Sequence, residues 1–81
     1  MSEDETYNGW KNYATWNVAL WIGNNDMYYS VAMASEGYAE FCEFMERLWR
    51  GGFKGTPDHV AWDDSGLDIE ALDEVITELK G

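Results

Sequence analysis

Basic residues are scarce in this chain: five Lys and Arg stand against sixteen Asp and Glu in 81 residues, a formal net charge of −11. So small a positive footprint cannot displace counterions from phosphate, which argues against direct nucleic-acid binding and equally against anionic membrane surfaces. Cysteine occurs once, at Cys42, so no intramolecular disulfide can form. Histidine also occurs once, at His59, and one Cys with one His does not make a zinc site. The longest uninterrupted apolar run, Val18 to Ile22, falls far short of the roughly 20 residues a membrane span requires. The first residues, Met1-Ser2-Glu3-Asp4-Glu5-Thr6, lack both the basic start and the apolar stretch of a secretory signal. Residence in the cytoplasm is the expectation. Glycine-rich phosphate loops, internal repeats and low-complexity tracts are missing as well.

What the chain does have is apolar material. Hydrophobic residues make up 46% of it and aromatics 16%, with five tryptophans. That is enough to build the core of one domain over 1–81, with residues 1–11 as a polar arm. Periodicity predicts a mainly α fold, a compact bundle of about four short helices with one long structured loop at about 51–67. The first helix is expected over Tyr13 to Gly23, capped by Asn12 or Thr15, whose short side-chain oxygens accept from free first-turn N–H groups. Trp16, Ala19, Leu20 and Gly23 share one face, Val18, Trp21 and Ile22 cover the other, and Asn17 is left as the polar interior position. A helix apolar nearly all round is expected to be central.

Asn24-Asn25-Asp26 then makes a turn and supplies a cap for a second helix over 26–35. Tyr28, Val31 and Ala32 face inward there, with Met27 a further inward candidate, and Gly37 stands where a left-handed C-terminal cap is wanted. The third helix, Tyr38 to Arg50, carries an apolar stripe of Tyr38, Phe41, Cys42, Met45, Leu48 and Trp49. Glu43–Arg47 and Glu46–Arg50 are i,i+4 pairs in the favourable order. Gly51-Gly52 ends it. In the loop that follows, Val60 and Trp62 alternate with polar neighbours, as in a short extended piece pinned to the body; loops of this length usually have a job or local structure. The last helix, about Asp68 to Lys80, is capped by Ser65 or Asp68 and turns Ile69, Leu72, Val75, Ile76 and Leu79 inward.

No residue announces a reaction. Asp58 and His59 are neighbours, but adjacent side chains seldom face each other usefully, and no nucleophile is placed beside them. Cys42 falls in an apolar stripe, where an inert buried thiol is expected. Asp63-Asp64-Ser65-Gly66-Leu67-Asp68 lacks the spaced ligands and distant Glu of a calcium loop and reads as a turn with a helix cap. A non-enzymatic protein without cofactor or metal is the expectation.

Charge is the feature that remains. Residues 58–81 hold eight acids (Asp58, Asp63, Asp64, Asp68, Glu70, Asp73, Glu74 and Glu78) against Lys80, a net −7. A solvated helix face is ordinarily charged, and solubility alone would account for part of this. The excess points to a surface made to meet a basic partner, with Asp63, Asp64, Asp68, Glu70, Asp73, Glu74 and Glu78 as its carboxylates. Carboxylates three and four apart on a helix stand about 5–6 Å apart, a phosphate-like spacing, so DNA mimicry is within reach of this charge. Among the tryptophans, Trp16, Trp21 and Trp49 occupy helix faces and read as core. Trp10 and Trp62, outside the helices, read as locks for arm and loop or as an interaction patch that would serve an adaptor or a homodimer.

The segment Tyr7-Asn8-Gly9-Trp10-Lys11-Asn12-Tyr13-Ala14-Thr15-Trp16-Asn17-Val18-Ala19-Leu20-Trp21-Ile22 resembles a signature of small uncharacterised proteins of bacteriophages, plasmids and their hosts. The resemblance extends through Thr56-Pro57-Asp58 and Trp62 to Leu67-Asp68-Ile69. It implies a mobile-element origin and transfers no activity. Two short pieces, residues 30–37 and 64–67, are also similar to a phage antirestriction protein that mimics DNA, at a different separation. The function expected is that of an acidic accessory protein. It would bind and modulate a host protein with a basic surface, a nucleic-acid-binding enzyme being the fitting kind. The alternative is an adaptor or homodimer that uses Trp10 and Trp62.

Overall fold

A computed structural model describes residue 7 and residues 9–81; of the predicted arm, residues 1–6 and 8 lie outside the described residues. Four helices follow one another: α1 (Tyr13–Asn24), α2 (Asp26–Ala34), α3 (Tyr38–Leu48) and α4 (Ile69–Lys80). The fold is mainly α, and the 20-residue connection between α3 and α4 is structured. Helices α2 and α4 touch each other and both of the other helices, whereas α1 and α3 do not meet. α1 therefore sits to one side of the bundle instead of at its centre. Its all-round apolarity is met on one side by α2 and α4 and on another by the loop.

Each boundary has a local cause. Asn12 Oδ1 accepts from Thr15 N at 2.9 Å and opens α1, Asn25 Oδ1 accepts from Met27 N and Tyr28 N and opens α2, and Asp68 Oδ1 accepts from Ala71 N and opens α4. Gly37 adopts extended backbone (φ −168°) and is the N-cap residue of α3, not a left-handed C-terminal cap of α2. The third helix stops at Leu48, two residues before the expected end at Arg50. Trp49 is extended there, and Gly51 and Gly52 take positive φ of 111° and 79°. Arg50 thus falls off the helix. Among the described residues the ion pair formed is Lys54 Nζ to Glu46 at 2.7 Å, and the expected Glu43–Arg47 and Glu46–Arg50 pairs are not made.

The core runs through all four helices and the loop: Val18 and Ile22 from α1, Tyr28 and Ala32 from α2, Tyr38, Phe41 and Met45 from α3, Leu72 and Ile76 from α4, with Val60, Trp62 and Leu67 between. The tryptophans redistribute the expectation. Trp62 is 4% exposed and makes edge contacts with Tyr28, Phe41 and Trp49, while Trp16, Trp21 and Trp49, expected in the core, are each only half-buried. An extended segment entering from a loop can drive a whole indole into the space between helices; Trp16 and Trp21, on a helix that sits to one side, bury only part of theirs, as does Trp49 just past the end of α3. Leu48, Met27 and Ile69, expected inside, are 48%, 47% and 44% exposed.

The loop delivers Trp62 by a hairpin-like turn. His59 N donates to Thr56 O (2.8 Å), Thr56 N to Val60 O (2.9 Å) and Trp62 N to Lys54 O (3.3 Å), around a Gly55–Ala61 bridge. Gly55 is required by proximity: a Cβ there would stand 2.3 Å from Val60 O and 2.5 Å from the Phe53 ring. Gly55→Ala is therefore expected to cost about 1–3 kcal/mol, the usual range for overpacking. A urea midpoint indistinguishable from wild type would show that the turn can open at no cost.

Candidate partner-binding face

The residues that sequence reasoning assigned to a binding surface separate into three groups. Asp64, Asp68 and Asp73 are occupied within the chain. Asp64 Oδ1 accepts from Gly66 N (2.7 Å) and shapes the turn before α4, Asp68 caps α4, and Asp73 Oδ1 accepts from Tyr38 N (2.7 Å), satisfying a first-turn donor of α3. Their charge still reaches solvent, but each has one oxygen committed to the fold. Asp63, Glu70, Glu74 and Glu78 are exposed and, among the described residues, accept no side-chain or backbone hydrogen bond. Glu70, Glu74 and Glu78 follow one another at four-residue steps, so they form a stripe along α4.

Trp62, the second aromatic candidate, is withdrawn into the core and offers no surface in this fold; its indole N–H is buried without a hydrogen-bond partner. Trp10 is different. Tyr7 and Trp10 exchange backbone hydrogen bonds (2.7 and 2.8 Å) across a tight turn in which Gly9 takes φ +88°. The Tyr7 ring packs on Tyr13 and Trp16 at centroid distances of 5.4 and 4.8 Å, which moors the turn to α1. Trp10 is left half-exposed beside α4, where it lines a groove with Gly9, Ala71, Glu74, Val75 and Glu78. The structure thus brings Trp10 together with Glu74 and Glu78.

Sequence reasoning missed a polar network between α1 and the loop. The Thr56 hydroxyl donates to Asn17 Oδ1 (2.6 Å), and Thr56 Oγ1 accepts from the backbone N–H of Asp58 and of Val60. Asn17 Nδ2 and Trp21 Nε1 both donate to Asp58 Oδ2, at 2.8 and 3.0 Å. Those two donors hold the Asp58 carboxyl below its ordinary range, Asn17 contributing most. Farther along, Asn12 Nδ2 donates to Gly66 O, and Thr15 Oγ1 accepts from Asp68 N. The network clamps the loop onto α1, and a polar Asn17 amid an apolar helix was its visible trace.

Neither candidate for chemistry is arranged for it. The His59 ring lies against Phe53 (5.3 Å between centroids), and no hydrogen bond joins it to Asp58. Burial raises the Cys42 thiol above its usual range, and Cys42 Sγ donates to Trp62 O (3.4 Å). Among the described residues no three His, Cys, Asp or Glu side chains converge to hold a metal ion, and no helix is long and apolar enough to cross a membrane.

The chain belongs to a family of unknown function, DUF7249, whose pattern matches residues 3–81. Neither the curated proteins nor the solved structures hold a match to it.

Proposed function

We propose that this protein is a non-enzymatic binding protein whose acidic α4 face docks on a basic surface of a protein partner and competes there with nucleic acid. The observation that carries the reading is the stripe of Glu70, Glu74 and Glu78, exposed and without a hydrogen bond among the described residues, in a chain of net charge −11. Its scale fits. α4 has 12 residues and is about 18 Å long. Over that length a duplex presents about 11 phosphate charges, about half of them to one side. Asp68, Glu70, Asp73, Glu74 and Glu78 place five carboxylates on α4 and its cap. The partner class that follows is a nucleic-acid-binding enzyme. The signature over residues 7–22 favours a phage or plasmid source, which makes the host cell's cytoplasm the place of action.

The test is retention of partners from bacterial lysate on immobilised protein at about 100 and about 500 mM salt, since exposed charges are screened within about 8 Å at physiological ionic strength. The expected result is a nucleic-acid-binding protein retained at low salt, displaced by duplex DNA, and absent when Glu70, Glu74 and Glu78 are replaced by Gln. A partner that survives high salt and ignores DNA and the Gln substitutions would overturn the proposal.

A further inference from the structure

We infer that the groove between Trp10 and α4 is a seat for one cationic side chain of the partner, an arginine in preference to a lysine. The inference rests on the reading of α4 as a binding face and makes it specific. The groove is open to solvent, has a volume of about 260 Å³ and is lined by Gly9, Trp10, Ala71, Glu74, Val75 and Glu78. Carboxylates alone would attract any cation diffusely, as a solvated acidic helix does. Here two further features act with the carboxylates. Ala71 and Val75 supply apolar lining, Trp10 forms part of the wall, and Glu74 and Glu78 stand one helical turn apart in the same lining.

The wall is held and not merely adjacent. The Tyr7–Trp10 backbone pair, the left-handed Gly9 and the packing of Tyr7 on Tyr13 and Trp16 fix the turn that carries Trp10, yet leave the indole half-exposed. Charge decides the occupant. An anion is repelled by both glutamates, and a second copy of the chain brings another net −11. A cation is attracted to the indole face and to both carboxylates at once. Guanidinium suits the groove better than ammonium. It is planar and weakly hydrated, stacks on aromatic faces, and its fork of N–H donors can reach two carboxylates together, while lysine offers a compact, strongly hydrated point charge.

The experiment uses the full ¹⁵N-labelled chain, titrated with a hexaarginine peptide, a hexalysine peptide and a neutral hexacitrulline peptide. The Trp10 indole N–H resonance is identified by its loss in Trp10→Phe. Hexaarginine is expected to shift that resonance together with the amides of residues 71–78 while leaving the Trp62 indole unmoved. Hexalysine is expected to bind more weakly and hexacitrulline not at all. Trp10→Leu, which removes a half-exposed ring, is expected to keep the fold and lower hexaarginine affinity about tenfold, within the range of a partly desolvated cation–π contact. Glu74→Gln keeps the indole as reporter and is expected to lower affinity as well. Hexaarginine binding on α4 that is unchanged in Trp10→Leu would overturn the seat and leave the acidic-face reading intact. No binding of either cationic peptide anywhere on the chain would overturn both.

Discussion

Phe41→Ala is expected to leave the native state barely populated. Phe41 is 0% exposed, stacks on Tyr38 at 5.5 Å and receives the edge of Trp62 at 5.4 Å, so it joins α3 to the indole that the loop delivers. Truncating a buried Phe costs about 3–5 kcal/mol, from lost transfer free energy and from the cavity left behind. A chain of this length holds only about 4–12 kcal/mol in total at typical stability per residue. Collapse into the cavity is limited, because Trp62 is fixed from the other side by Tyr28 and Trp49. Phe41→Leu, nearer in volume, is expected to cost much less. Urea unfolding followed by near-ultraviolet circular dichroism reads both variants. A Phe41→Ala midpoint close to that of Phe41→Leu would mean that the core is not organised around the Phe41–Trp62 contact.

The same aromatic contact shows where the chain was legible. Helix positions came from spacing and capping residues, and Asn12, Asn25 and Asp68 occupy caps as their side-chain chemistry requires. For Trp62 the choice between a lock for the loop and an interaction patch stayed open, because periodicity assigns faces only within regular elements; the structure makes it the lock. A loop residue has no period, and its burial is decided by the turn around Gly55 and Thr56 that inserts it. The depth of Trp16 and Trp21 was illegible for the converse reason: both are half-buried, Trp21 against the core. An apolar face states that a helix is covered, without stating by how much, and α1 meets α2 and α4 but not α3.

The candidate face was legible as charge and illegible as geometry. The sequence located the carboxylates but could not separate Asp64, Asp68 and Asp73, which satisfy backbone donors, from Glu70, Glu74 and Glu78, which among the described residues do not. That distinction matters for any charge-removal experiment. Neutralising Asp68 or Asp73 weakens a helix start and mixes folding with binding, whereas the three glutamates report on the surface alone. Trp10 could be paired with α4 only once the chain was folded, since some sixty residues separate them.

The recognisable segment over residues 7–22 has its own role, which Asn17 exposes. Asn17→Ala is expected to destabilise by about 2–3 kcal/mol, because the buried Thr56 hydroxyl loses its acceptor and the loop loses its hold on α1. In a domain of this size that lowers the thermal midpoint by about 10 °C or more. Asn17→Asp should be worse at neutral pH although it preserves shape and keeps the acceptor for Thr56. It replaces the Nδ2 donor that lies 2.8 Å from Asp58 Oδ2 with a second carboxylate oxygen. The pH dependence then separates the two substitutions. In the wild type the folded Asp58 carboxyl lies below its ordinary 3.8, so its contribution is present above that value and is lost as pH falls through the folded one. In Asn17→Asp the facing carboxylates share a proton, and their folded-state value is raised. Stability is then greatest below the ordinary carboxylate range and falls as pH rises through the raised value. Relative to wild type, Asn17→Asp is therefore expected to be less destabilised at about pH 5 than at about pH 7.5, while the deficit of Asn17→Ala should stay level between them. Urea midpoints of the three proteins at the two pH values decide it. Equal deficits for Asn17→Asp would mean that residues 17 and 58 do not face each other, and that the signature is not the clamp by which α1 holds the loop.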